Sequence, residues 1–109
     1  MAEENRDQDS RASESRIGEV LDSLFATIES RRDADPETSY TARLLAAPPD
    51  KLLGKVGEEA TEVVIAGAQG DREQLRYEAA DLIYHLLVLF LREGLTLDDL
   101  AAELDKRRK

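Results

Sequence analysis

The sequence predicts an all-α protein, and three observations carry that reading. Apolar residues recur at the three- and four-residue spacing of a helix face, and no segment shows the alternation of a half-buried strand. Aromatic side chains make up only 5% of the chain, which suits an aliphatic core between helices. No period of ~20–50 residues repeats, so the helices belong to one bundle and not to a solenoid.

Each element follows from local chemistry. Ile17, Val20, Leu21, Leu24, Phe25 and Ile28 mark a first helix, which ends in the turn-rich Arg32-Asp33-Ala34-Asp35-Pro36. Thr38 to Ala47 predicts a short second helix closed by Pro48-Pro49, because the residue before a proline is driven out of the α region. Asp50 is the expected cap of a third helix running to about Ala66. Asp71-Arg72-Glu73-Gln74 has the pattern of a capping box and opens a fourth helix, which continues to Glu93 with Gly94 as its left-handed C-cap. The last helix starts after Thr96, again with an acid three residues on at Asp99, and carries Leu97, Leu100, Ala101 and Leu104. A connection of about four to six residues around Gly67 to Gly70 makes the third and fourth helices antiparallel neighbours.

Composition narrows the function. A chain of 109 residues holds one domain. Residues 1–16 are acids, arginines and serines with only Met1, Ala2 and Ala12 apolar, and are expected to form a disordered acidic tail before a helical domain at 17–109. The basic end Lys106-Arg107-Arg108-Lys109 suits a helix C-terminus. With 24 acidic against 15 basic residues the net charge is −9, which repels phosphate backbones and anionic bilayers and excludes general nucleic-acid or membrane-surface binding. Cysteine is absent, so thiolate metal sites are excluded, and His85 is the single histidine. Oxygen atoms are then almost the only ligands available, which points to a hard cation, Mg²⁺ or Mn²⁺. No apolar run reaches the ~20 residues of a bilayer span and the N-terminus lacks signal-peptide character, so a cytoplasmic location is expected.

Two acidic stripes stand out. On the third helix Lys55, Glu58, Glu59 and Glu62 share one face, and on the fourth Gln74, Glu78, Asp81 and His85 do the same. Each stripe borders an apolar one: Leu52, Val56, Ala60 and Val63 on the third helix, Leu75, Ala79, Leu82 and Leu86 on the fourth. The carboxylates therefore belong at the edge of the helix–helix seam. Clustering them costs on the order of 1 kcal/mol per close pair at intermediate dielectric, and a divalent cation reverses that sign. An oxygen-only cluster that binds Mg²⁺ together with substrate phosphates suits a metal-assisted phosphoryl reaction. His85, one turn after Asp81, has a structural role on this reading or orients Asp81 by a hydrogen bond. A dinuclear iron bundle needs Glu-x-x-His pairs, which are absent.

The pattern Glu58-Glu59-x-x-Glu62, then fifteen residues, then Glu78-x-x-Asp81 resembles the signature of the all-α, MazG-like nucleoside triphosphate pyrophosphohydrolases. Ser39-Tyr40-Thr41-Ala42-Arg43-Leu44, the run Lys55 to Glu62 and the run Tyr77 to Val88 make it similar to the phosphoribosyl-ATP pyrophosphohydrolase family in particular. The resemblance covers residues 17 to about 106. It implies Mg²⁺-dependent hydrolysis of phosphoribosyl-ATP to phosphoribosyl-AMP and pyrophosphate, the second step of histidine biosynthesis. By position in the motif, Glu59, Glu62, Glu78 and Asp81 are the metal ligands, and Glu58 is a further ligand or orients the attacking water. Lys55 contacts a phosphate or pairs with Glu59. Arg43 and Lys51 are further phosphate candidates, while Ser39, Tyr40 and Thr41 shape the pocket, unless Ser39 merely caps its helix. A house-cleaning (deoxy)nucleoside triphosphate pyrophosphohydrolase would share every ligand, and a non-catalytic helical adaptor would leave the acids solvated.

Leu86-Leu87-Val88-Leu89-Phe90-Leu91 predicts association. At about 100° per residue, six apolar residues cover the whole circumference of a helix. A chain this small is expected to leave part of that surface bare, and a homodimer or dimer of dimers would complete the bundle.

Overall fold

A computed structural model describes residues 15–108; most of the expected tail, residues 1–14, lies outside the described residues, as does Lys109. Five helices follow one another, and there is no strand among the described residues. They are α1 (Ile17–Ser30), α2 (Tyr40–Ala46), α3 (Pro49–Gln69), α4 (Arg72–Arg92) and α5 (Leu97–Asp105). The two long helices form an antiparallel hairpin with the most extensive contact in the molecule, and α1 and α2 pack on α4.

Most helix ends are set where local chemistry placed them. Ser39 Oγ accepts from the Ala42 N–H at 3.1 Å and starts α2 two residues later than the pattern suggests. Asp71 Oδ1 accepts from the Gln74 N–H at 3.1 Å and starts α4. Only half of the anticipated box forms there, because the Gln74 amide turns to Glu78 and not back to Asp71. At α5 the box is complete: Asp99 Oδ2 accepts from the Thr96 N–H at 2.8 Å and Thr96 Oγ1 from the Asp99 N–H at 3.2 Å.

Two expectations about α3 are corrected. Asp50 does not cap it; Pro48 stands at the cap position, Pro49 supplies the pre-set φ of the first turn, and Asp50 adds a carboxylate beside the helix N-terminus. The helix also runs past Ala66 and through Gly67 to Gln69, which shortens the connection to Gly70 and Asp71. A glycine inside a helix costs only ~1 kcal/mol, and the helix closes instead at Gly70, whose positive φ ends it. Gly70 takes φ +67°, with its N–H on the Gly67 carbonyl and the Asp71 N–H on the Ala66 carbonyl, a Schellman closure that Gly94 (φ +74°) repeats at the end of α4.

These two settings give glycine substitutions of opposite sign. A methyl at either Gly67 or Gly70 meets nothing within 4 Å, so only backbone energetics count. Gly70→Ala should lose ~1–2 kcal/mol to left-handed strain and melt roughly 4–8 °C lower per kcal/mol, whereas Gly67→Ala should gain ~0.5–1 kcal/mol. Thermal melts followed by circular dichroism check both; equal shifts for the two would contradict the closure described.

Ile28, Leu44, Leu52, Leu87, Val88 and Leu91 form the core where α1 to α4 meet, with Leu97 of α5 packed on its edge. Arg92 Nη1 donates to the Leu44 carbonyl at 3.1 Å and ties the end of α2 to α4. Within the apolar run of α4, Leu87, Val88 and Leu91 are buried inside the chain, and Leu86, Leu89 and Phe90 are half-covered. One chain therefore shields more of this run than its length suggested. The larger bare apolar side chains lie elsewhere, among them Ile17 on α1, Leu53, Val64 and Ile65 on α3, Tyr77 and Ile83 on α4 and Leu104 on α5.

Candidate active site

The α3–α4 seam carries carboxylates at positions where a hairpin normally places apolar side chains. Leu52, Glu59 and Ala66 recur every seventh residue on α3 and are all buried; Glu78 and His85 do the same on α4. Glu59 is 6% exposed and Glu78 7%. A buried carboxylate without a partner would be strongly destabilising. Each has one: Lys55 Nζ lies 3.4 Å from Glu59 Oε1, and Gln74 Nε2 donates to Glu78 Oε1 at 2.9 Å.

Across the seam, Asp81 approaches Glu59. Ligand-capable atoms of Glu59, Asp81 and His85 lie within 4.8 Å of one another, the one such group among the described residues. Burial pushes the Asp81 carboxyl above the ordinary aspartate range, and hydrogen-bonding and repulsive contact with Glu59 add to it, while His85 and Lys55 pull the other way.

The sign of the resulting pH dependence follows. Because its native pKa is raised, Asp81 contributes stability that is present below its unfolded pKa and lost as the pH climbs through the native one. In metal-free buffer the melting temperature of Asp81→Asn should therefore overtake that of the wild type progressively from the carboxylate range to neutral pH. A gap that stays constant with pH would show that Asp81 is not under this stress.

His85 is 2% exposed and both ring nitrogens are engaged. Nδ1 lies 2.8 Å from the Asp81 carbonyl, an acceptor only, so Nδ1 carries the hydrogen. Nε2 of the neutral ring then accepts from the Tyr40 hydroxyl at 2.9 Å. The Asp81 carboxylate stands farther off, 3.6 Å from Nδ1. The structural reading of His85 thus holds in a changed form: it grips the backbone at Asp81, not the carboxylate. Beside it the Tyr84 and Thr41 hydroxyls bond each other, so two consecutive residues of α2 are latched to two consecutive residues of α4. The sequence signal for this latch was the pair Tyr84-His85 inside an otherwise aliphatic stretch.

Next to the carboxylates opens a cleft of about 580 Å³, walled by α2 and the first half of α3. Tyr40, Arg43, Lys51, Lys55 and Glu58 line it, together with Asp50 and Gly54. Glu58 and Glu59 hold the Lys55 ammonium above its usual pKa, with Tyr40 adding to them, against the burial that would lower it. The ion pair expected for Lys55 is present, and the same side chain faces the cleft. Arg43 Nη1 donates to the Pro36 carbonyl at 3.1 Å. Ser39 and Thr41 do not line this cleft: Ser39 caps α2, and Thr41 is buried against Tyr84. Glu62 is exposed, and neither it nor Glu78 joins the group formed by Glu59, Asp81 and His85.

Comparison with known proteins agrees with this chemistry. The family model described as phosphoribosyl-ATP pyrophosphohydrolase matches residues 21–108. A phosphoribosyl-ATP pyrophosphatase of Rhodobacter capsulatus is 51% identical over 88 residues, covering 81% of this chain and 85% of that protein. The protein of the same name from Erythrobacter litoralis is 56% identical over 88 residues with the same coverage, and that from Paracoccus denitrificans 52% over 87 residues, covering 80% and 81%. With nearly the whole helical region matched by the family model and by relatives at about half identity, the chain belongs to the phosphoribosyl-ATP pyrophosphohydrolase family.

Proposed function

We propose that this chain hydrolyses phosphoribosyl-ATP to phosphoribosyl-AMP and pyrophosphate with Mg²⁺, the second step of histidine biosynthesis. The observation that carries the reading is the cleft lined by Arg43, Lys51 and Lys55, which Lys55 joins to the Glu59–Asp81 pair by lying 3.4 Å from Glu59. A triphosphate needs cations along its length and a divalent ion at the bond that breaks, and the two requirements meet here.

The donor set fits Mg²⁺: two carboxylates pressed together, with His85 withdrawn from ligation by its own hydrogen bonds. Glu59 and Asp81 would hold the ion, with Glu62 and Glu78 one turn away on the same stripes as further oxygen donors. When bound, Mg²⁺ offsets charge on the pyrophosphate leaving group and lowers the pKa of a bound water. Arg43, Lys51 and Lys55 grip the phosphates and orient the anhydride. Glu58, on the cleft rim with its side chain 67% exposed and 3.9 Å from Lys55, orients the attacking water. Water adds at phosphorus, the bond between the α- and β-phosphates breaks, and pyrophosphate leaves.

Purified protein incubated with Mg²⁺, phosphoribosyl-ATP and a panel of canonical and non-standard nucleoside triphosphates tests this. Pyrophosphate release should be fastest from phosphoribosyl-ATP, and expression should rescue a histidine auxotroph lacking the activity. Preference for a deoxynucleoside triphosphate would move the reading to house-cleaning, and no release from any of them would point to a helical adaptor. The reaction is placed in the cytoplasm, among its nucleotide substrates; no described helix is long and apolar enough to cross a membrane.

A homodimer, alone or as a dimer of dimers, is part of this proposal. Its support has moved from the run Leu86–Leu91 to α3, where Leu53 (52% exposed) and Val64 (68%) lie on one face and so much bare apolar surface is unusual for a monomer. Sedimentation equilibrium should find a dimer at micromolar concentration, and Val64→Glu should weaken it while leaving helix content unchanged. A folded wild-type monomer at that concentration would overturn this part.

A further inference from the structure

His85 is the most buried polar residue among the described residues, and nothing in the proposed reaction uses it. Its two hydrogen bonds point in opposite directions. Nδ1 holds the backbone at Asp81, on the carboxylate side of the site, at 2.8 Å. Nε2 holds the Tyr40 hydroxyl, on the wall of the cleft, at 2.9 Å.

Tyr40 in turn has little freedom. Its ring stacks on Tyr84 at 6.3 Å between centroids and 22° between planes, and meets the edge of His85 at 5.8 Å and 81°. The Arg43 guanidinium lies over the Tyr40 ring, 5.6 Å from its centroid. That distance is within cation–π range, and an aromatic platform of this kind restricts where the guanidinium can swing. The second restraint on Arg43, the Pro36 carbonyl at 3.1 Å, comes from the loop before α2. Arg43 thus depends for its position on Tyr40, and Tyr40 on His85.

We infer that His85 is a positioning residue: through the Tyr40 hydroxyl it fixes the ring on which Arg43 rests, and so sets the phosphate-binding arm of α2 in register with the Asp81 segment of α4. This rests on the reading of Arg43 as a phosphate ligand. It adds that Tyr40 acts through the arginine whose guanidinium lies over its ring. A wandering guanidinium loses entropy on capture, so the cost of breaking the chain falls on substrate binding more than on the chemical step.

The test is a double-mutant cycle on the full chain, with Tyr40→Phe and Arg43→Ala singly and together, measuring kcat and KM for phosphoribosyl-ATP at saturating Mg²⁺. Tyr40→Phe keeps the ring and deletes only the bond to His85. It should raise KM about five- to tenfold, the scale of one lost hydrogen bond, with kcat changed less than about twofold. In the Arg43→Ala background the same change should alter KM less than about twofold, because the arm it positions is gone. An equal rise in both backgrounds, a loss confined to kcat, or no loss at all would overturn the positioning role. If Arg43→Ala alone leaves KM unchanged, the phosphate reading of Arg43 fails and takes the inference with it; additive losses with an active Arg43 defeat the inference alone. Should Tyr40→Phe melt below the assay temperature, the whole cycle is run at a temperature below that melt, where the same fold-changes are expected.

Discussion

Asp81→Asn should lower phosphoribosyl-ATP hydrolysis by roughly a hundredfold or more, the scale on which loss of a group that stabilises developing charge acts, and should leave the five helices intact. The side chain is one of two carboxylates whose oxygens converge at the seam, and the amide has the same shape without the charge. Removing the charge weakens the hold on Mg²⁺. It also relieves the repulsion from Glu59 that, after burial, raises the carboxyl's pKa. The metal-free variant should consequently melt no lower than the wild type at neutral pH, and added Mg²⁺ should raise its melting temperature less. Initial rates across a Mg²⁺ titration, paired with melts in chelator and in Mg²⁺, separate these effects. Near-normal turnover at limiting Mg²⁺ would remove Asp81 from the ligand set. Glu62→Gln is the informative companion. Glu62 is exposed and stands outside the Glu59–Asp81–His85 group, so a loss as large as that of Asp81→Asn would mean that substrate or Mg²⁺ draws it in.

The second large effect is on folding. Leu52→Ala should destabilise the protein by ~3 kcal/mol within the usual 2–5 for such truncations, a large part of the ~5–15 kcal/mol that holds a domain together. Leu52 is 0% exposed at the point where α3 enters the core, and the cluster around it holds only Ile28, Leu44, Leu87, Val88 and Leu91 besides. Its buried neighbours come from α1, α2 and α4, which converge on it, so the cavity has little scope to collapse. The melting temperature should fall by about 12–24 °C. Because Leu52 belongs neither to the cleft lining nor to the Glu59–Asp81–His85 group, kcat measured well below the melt should remain within about threefold of the wild type. A shift of less than about 3 °C would mean that the α3–α4 seam is not the main stabilising contact.

Much of this protein was legible in one dimension because the relevant physics is local. Helix content follows from apolar spacing, and the starts at Ser39, Asp71 and Thr96 follow from side chains that satisfy N–H groups three residues away. Gly94 closes α4 because few other residues tolerate a positive φ. The acidic stripes also follow from spacing, since residues three and four apart share a helix face.

Which members of a stripe meet is a different matter. A stripe spans an arc of about 100°, whereas the seam between two helices selects a narrower one. Packing put Glu59 and Asp81 in contact, left Glu58 and Glu62 toward solvent, and turned Gln74 to Glu78 when its own cap offered an alternative. Of the two glycines at the end of α3, Gly67 stays helical and Gly70 takes the positive φ that closes the helix. Long-range pairing also assigned His85 its partners, Tyr40 lying 45 residues away in sequence. Local rules act over one helical turn and set where helices begin and end; the choice among the side chains they present belongs to the tertiary fold, because desolvation and close packing exist only once two helices are pressed together.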